Sequence, residues 1–148
     1  KAFNVIADRV TLLGTVRCLC ADLHERLPAW IEETVQAICG SFGASARVRY
    51  RCIAPPVRND PALTALLERS AVEQLGADQV QRLEQPSLGA EDFAELLQDV
   101  PGSMFRLGVA GADGCAALHN GHFNPEEGAL GVGVQVLTAA MLAWTPTP

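Results

Sequence analysis

Apolar and polar residues alternate through VTLLGTVRCL. Val10, Leu12, Val16 and Cys18 share one face, and Thr11, Thr15 and Arg17 share the other. A period of two predicts a half-buried β-strand. In ERLPAWIEETVQAICGSFGA the spacing changes. Leu27, Ile31, Val35, Ile38 and Phe42 follow one another at steps of four, four, three and four, the stripe of an amphipathic helix. Pro28 is tolerable there only near the first turn, and Gly40 and Gly43 mark the end. ARVRYRCIA returns to alternation, with Val48, Tyr50 and Cys52 opposite Arg47, Arg49 and Arg51. A strand-helix-strand unit cannot bury its sheet alone, so it is expected to take further strands from upstream sequence.

APPVRNDP breaks this pattern. Pro55 and Pro56 exclude helix, while Asn59-Asp60-Pro61 signals a helix start with Asp60 as N-cap and Pro61 at the first helical position. The expected domain boundary therefore lies between Ala54 and Pro55. A helix is predicted from Pro61 to about Leu75, ended by Gly76. A short strand is expected in QVQRLE, a helix from near Ala90 in PSLGAEDFAELLQ, and a buried strand in SMFRLGVA. A glycine-rich loop then leads to a final buried helix, capped by Asn124-Pro125-Glu126-Glu127. Helix and strand alternate as in an α/β layer.

Composition narrows the function classes. Eleven Lys and Arg against 17 Asp and Glu give a net charge of −6, and the arginines form no stripe; no nucleic-acid partner is expected. The arginines at 47, 49 and 51 suit either an anion or a solvated sheet face. The apolar run from Ala129 to Trp144 is too short to span a bilayer, so no membrane partner is expected. Five cysteines, at positions 18, 20, 39, 52 and 115, show neither metal spacing nor a disulfide framework. A reduced, cytoplasmic setting is expected, with Cys18-Leu19-Cys20 read as packing. The chain opens on Lys1 and enters strand-like sequence almost at once, as a fragment would.

His119 and His122, three apart in LHNGHFNPEE, would share a face only on a helix, and Gly121 and the later cap place them in a loop. By residues alone each is as readily a loop histidine as a metal ligand, since zinc needs partner donors. His24 reads as solvated. Glu91 and Asp92 fall in the first turn of a predicted helix, where the helix dipole stabilises negative charge. The tight Ser-Leu-Gly-Ala approach would also suit a helix start brought close to a ligand or metal. No serine or cysteine nucleophile has a recognisable base beside it.

Five motifs in order, FNVIADRVTLLGTVR, PPVRNDP, PSLGAEDF, VPGSMFRLGV and LHNGHFNPEEGALGVGV, make the chain resemble the C-terminal part of the zinc-dependent aminoacylase and carboxypeptidase family, in its hippurate and indole-acetyl-amino-acid amidohydrolase branch. The resemblance implies residues 1–54 as the second half of a ferredoxin-like lid or dimerisation domain. Residues 55–148 would then be the C-terminal part of a metallopeptidase α/β catalytic domain.

It also implies metal-assisted hydrolysis of the amide of an N-acyl amino acid or related small molecule, with two zinc or other divalent ions per complete protein. His119 corresponds to the metal ligand supplied from this side, and His122 falls on a variable position. Asn4 and Arg17 match substrate-binding residues of the lid, and Glu91 matches a glutamate at the rim of the cleft. The other ligands and the glutamate base lie upstream in relatives, so the chain is expected to be inactive alone, to join its upstream half and to form a homodimer through the lid. Ala7 and Gly121 stand where relatives carry proline. The rival reading is a non-catalytic lid-like binding or dimerisation module.

Overall fold

A computed structural model describes residues 4–145. The first three residues of the expected lid segment, with Phe3 of its motif, and the last three of the expected catalytic segment lie outside the described residues. The chain divides into two compact units, Lys1–Tyr50 and Arg51–Pro148. The described residues form four helices: α1 (Ala21–Ser41), α2 (Pro61–Leu75), α3 (Phe93–Leu96) and α4 (Gly128–Ala143), with a 3-10 turn at Ala77–Gln79. Among them strand pairing is limited to one isolated antiparallel bridge, Gly111 with Gly114.

In the first unit, α1 begins at Ala21, earlier than its stripe predicts, and carries Pro28 at the end of its second turn. Proline there withholds one intrahelical N–H, yet the helix runs on. Leu27, Ile31, Val35 and Cys39 are half-buried, whereas Ile38 and Phe42, expected in the stripe, are exposed. The C-terminus closes as a Schellman motif: Ala44 N–H donates to Cys39 O at 2.9 Å and Gly43 N–H to Gly40 O at 3.0 Å, with Gly43 at φ 68. Glycine takes that left-handed conformation without a Cβ clash.

Gln36 Nε2 donates to Ala46 O at 2.9 Å, tying the returning segment to the helix. Along that segment Ala46, Val48 and Tyr50 are half-buried while Arg47 and Arg49 are exposed. Val48 and Tyr50 thus keep their predicted face opposite Arg47 and Arg49, but Cys52, expected beside them, is exposed like Arg51, and no ladder forms among the described residues. Residues 10–17 are exposed throughout and likewise form no laddered strand. A period of two assigns residues to faces, but a ladder needs a neighbouring strand, and these segments find none among the described residues. The same holds for residues 103–110, and Gln79 of the segment QVQRLE belongs to the 3-10 turn.

The second unit is organised around α2. Asp60 caps it as predicted, its Oδ1 accepting from Leu63 N–H at 2.9 Å, with Pro61 in the first turn and Gly76 at its end. Such a cap contributes about 1 kcal/mol. Beside it, Asn59 Nδ2 donates to Met104 O at 2.7 Å while its Oδ1 accepts from Met104 N–H at 3.0 Å. The amide thus pairs with one backbone residue as a neighbouring strand would, two bonds worth roughly 2 kcal/mol together. Asp60 N–H to Gly102 O at 2.8 Å and Thr64 Oγ1 to Ser103 Oγ at 2.9 Å complete the stitch.

Helix α4 packs against α2, and Gln135 Nε2 donates to Gln74 Oε1 at 3.1 Å between them. The buried residues on these two helices are Ser70 on α2, and Val136 and Ala140 on α4, at 2% and 6% exposure. Leu130, Val134, Leu137, Met141 and Leu142 of α4 are exposed. The final helix, expected to be buried, is therefore buried along one stripe only. It starts at Gly128, and Glu127 provides no side-chain cap, in place of the expected Asn124 to Glu127 cap.

Arg82 grips Glu68 with two hydrogen bonds, Nε to Oε1 at 2.7 Å and Nη2 to Oε2 at 2.6 Å. The bonded guanidinium holds the Glu68 carboxyl below its ordinary value of 4.5. A depressed folded value means that the pair stabilises the fold above pH 4.5 and loses that contribution as pH falls through the folded pKa. Arg82→Ala is expected to return the Glu68 titration to its ordinary position, read by carboxyl-carbon NMR; an unmoved titration would show that the guanidinium is not its cause.

Candidate functional site

The loop between Val109 and α4 is closed at its base. Glu126 N–H donates to Val109 O at 2.9 Å, and Gly114 N–H donates to Gly111 O at 3.0 Å. A Cβ on Gly111 would lie 2.9 Å from Glu126 Oε2, so the glycine admits the glutamate side chain. Further along, the Cys115 thiol donates to Asn124 O at 3.3 Å. Two turns fill the space between these ties. Asn120 N–H to Ala117 O, 3.2 Å, closes the first, and Phe123 N–H to Asn120 O, 2.9 Å, closes the second.

His119 is the third residue of the first turn and has φ 65, the one positive φ at a non-glycine position among the described residues. A type II turn demands positive φ there and ordinarily takes glycine. A histidine in that conformation costs on the order of 1 kcal/mol. The side chain is exposed, and its imidazole makes no hydrogen bond or ion pair among the described residues. His122 is also exposed, and its N–H is held by Asn120 Oδ1 at 2.9 Å.

Glu91 does not lie within a helix as predicted. α3 is a single turn beginning at Phe93, and both Glu91 and Asp92 precede it. Glu91 Oε1 reaches Phe93 N–H at 3.5 Å, and its carbonyl accepts from Ala94 N–H at 3.1 Å. Its carboxylate thus serves the helix start, weakly. The tight approach before it is closed locally, by Gly89 N–H to Ser87 Oγ at 3.0 Å.

Asn4 and Arg17 are exposed and lie in the first unit, while Glu91 and His119 lie in the second. His24, expected to be solvated, is half-buried, with its Nδ1 3.9 Å from Cys18 Sγ. Cys20 is exposed rather than packed, and the five cysteines form no disulfide.

An exposed imidazole on a pinned turn suits one donor to a divalent metal. Among the described residues no group of three or more His, Cys, Asp or Glu gathers to complete such a site. Sequence reasoning did not foresee the bonds of Cys115, Asn120 and Asn124 that close the loop carrying His119. Asn120-Gly121 is a turn dipeptide and was the available signal. No described helix is long and apolar enough to cross a membrane.

Comparison with known proteins gives a match of residues 3–143 to the model of peptidase family M20/M25/M40. A probable hydrolase of Synechocystis is 44% identical over 146 residues, which are 97% of this chain and 37% of that protein. A putative amidohydrolase of Bacillus subtilis is 36% identical over 96% of this chain and 36% of its own length. An N-acetyldiaminopimelate deacetylase of Priestia megaterium is 31% identical over 91% of this chain and 35% of its own length. The chain thus spans little more than a third of the length of these relatives. No solved structure gives a significant match.

Proposed function

The chain belongs to peptidase family M20/M25/M40, and from that membership we propose that it is the C-terminal portion of a metal-dependent amidohydrolase of N-acyl amino acids or related small molecules. The observation that carries this reading is His119, an exposed imidazole held at φ 65 in a loop tied at its base. Strain of that kind persists where surrounding bonds over-determine it, and it clusters at functional sites. The printed names of the relatives, a hydrolase, an amidohydrolase and a deacetylase of an N-acetylated amino acid, support the reaction class.

In this reading His119 supplies one donor to a divalent ion, zinc or another, and the remaining donors and the general base come from the other part of the protein. When bound, the ion supplies Lewis acidity toward the amide carbonyl. Asn4 and Arg17 orient the substrate, Arg17 by pairing its planar guanidinium with the substrate carboxylate. Glu91 lies at the rim of the cleft. Residues 1–54 act as a lid segment, through which two copies associate, and residues 55–148 close the catalytic domain.

The direct test is hydrolysis of a panel of N-acyl amino acids, N-acetyldiaminopimelate among them, by the complete protein before and after chelation. Chelator-sensitive release of the free amino acid supports the reading. Turnover indifferent to chelator, or none across the panel, overturns it. Arg17→Ala is expected to lower kcat/KM for an N-acyl amino acid about 10–100-fold, as loss of a charged hydrogen bond of roughly 1.5–3 kcal/mol implies, and to spare a neutral amide analogue. An equal fall for both would remove Arg17 from carboxylate binding.

A further inference from the structure

Asn120 is the joint between the two turns around His119. Its N–H closes the first turn on Ala117 O, its carbonyl accepts the Phe123 N–H that closes the second, and its side-chain Oδ1 accepts from His122 N–H at 2.9 Å. That last bond makes an Asx turn, in which a short polar side chain stands in for a backbone carbonyl and sets the direction of the following chain.

We propose that Asn120 is a positioning residue for His119, its side-chain oxygen locking the second turn so that the first retains the left-handed histidine. The ties at the base of the loop, Glu126 to Val109 and Cys115 to Asn124, fix where the loop begins and ends but not the rotation of its tip. Immediately after Asn120 comes Gly121, whose backbone has the widest conformational freedom of any residue. The Asx bond spans that glycine and removes the freedom at the point where a strained φ would otherwise relax. A carboxamide is well suited to this, because it offers an acceptor at short reach without the charge of a carboxylate beside the imidazole.

The functional meaning of this coupling rests on His119 being a metal ligand; the conformational coupling itself does not. Both parts are tested together, by NMR on the 148-residue chain and by zinc titration of the complete protein. In Asn120→Ala, the His119 Cα shift and backbone coupling are expected to leave left-handed values. The His122 amide is expected to exchange about fivefold faster, as loss of one hydrogen bond implies. Asn120→Asp keeps the acceptor and is expected to restore both.

Zinc affinity of the complete protein is expected to fall roughly 10-fold in the alanine variant, at the lower end for a residue that orients a ligand, and to recover with aspartate. His119 keeping its left-handed signature in Asn120→Ala, or failing to regain it in Asn120→Asp, overturns the proposal. If that signature is lost but His119→Ala leaves zinc affinity unchanged, the conformational coupling stands and the ligand reading falls.

Discussion

His119→Ala in the complete protein is expected to abolish measurable turnover and strip bound metal, whereas His122→Ala leaves both close to wild type. Both histidines are exposed and they stand three positions apart, so burial class does not distinguish them. Their backbones do: His119 is held at φ 65 inside the first of two closed turns, while His122 follows a glycine and is fixed through its N–H. Loss of a direct ligand should exceed the roughly 10–100-fold that follows loss of a supporting partner.

His119→Gly sharpens the comparison. Glycine adopts the left-handed turn without steric cost, so this variant should keep or slightly raise the melting temperature while losing metal as completely as the alanine variant. Metal analysis, thermal melts and kcat/KM on the three variants decide the matter. Equal losses at the two histidines would show that the strained backbone does not mark the ligand.

The largest stability effect is expected at the seam of α2 and α4. Val136 is 2% exposed there, and Val134, two positions earlier on the same helix, is 65% exposed. Val136→Asp buries an unpaired carboxylate and should cost several kcal/mol, about 3–5. Val134→Asp should be nearly neutral in the 148-residue chain. If the proposed remainder of the protein covers the outer face of α4, Val134→Asp becomes costly in the complete protein alone. Chemical denaturation of both variants in both contexts provides the measurement. A similar cost for the two substitutions in the 148-residue chain would contradict the packing described for α4.

Local signals were legible where the structure they specify is local. Asp60-Pro61 and Gly76 bracket α2 as predicted, because a cap needs only its own first turn and a terminating glycine only its own φ. Gly43 ends α1 for the same reason. The start of α1 was not legible: Pro28 was placed near the first turn, although the helix accommodates it a full turn later.

The strands show the opposite limit. Alternation separates half-buried Val48 and Tyr50 from exposed Arg47 and Arg49 but fails at exposed Cys52, because it carries no information about what would lie alongside. The order of motifs pointed to the family, which the match over residues 3–143 shows; His119 as a ligand is what that resemblance implies. Its left-handed backbone was invisible, since histidine carries no glycine-like signal for positive φ. The ties at the base of its loop join residues distant in sequence, such as Val109 with Glu126 and Cys115 with Asn124, which no local pattern announces. A full donor set was not legible because no group of three or more His, Cys, Asp or Glu gathers among the described residues.

Helix α4 contains no charged residue and buries only Val136 and Ala140, and Ala94 is the one other buried apolar residue among those described. Heat-capacity change on unfolding is set by how much newly wetted apolar surface the transition creates. In the 148-residue chain most of that surface is already wet, so its increment should fall well below the about 12–15 cal/mol/K per residue usual for folded domains. Its denaturant dependence should be correspondingly shallow. Its stability would then vary gently with temperature, with a broad melt and a weakly curved profile, and association that covers α4 would be visible calorimetrically as a negative heat capacity of binding.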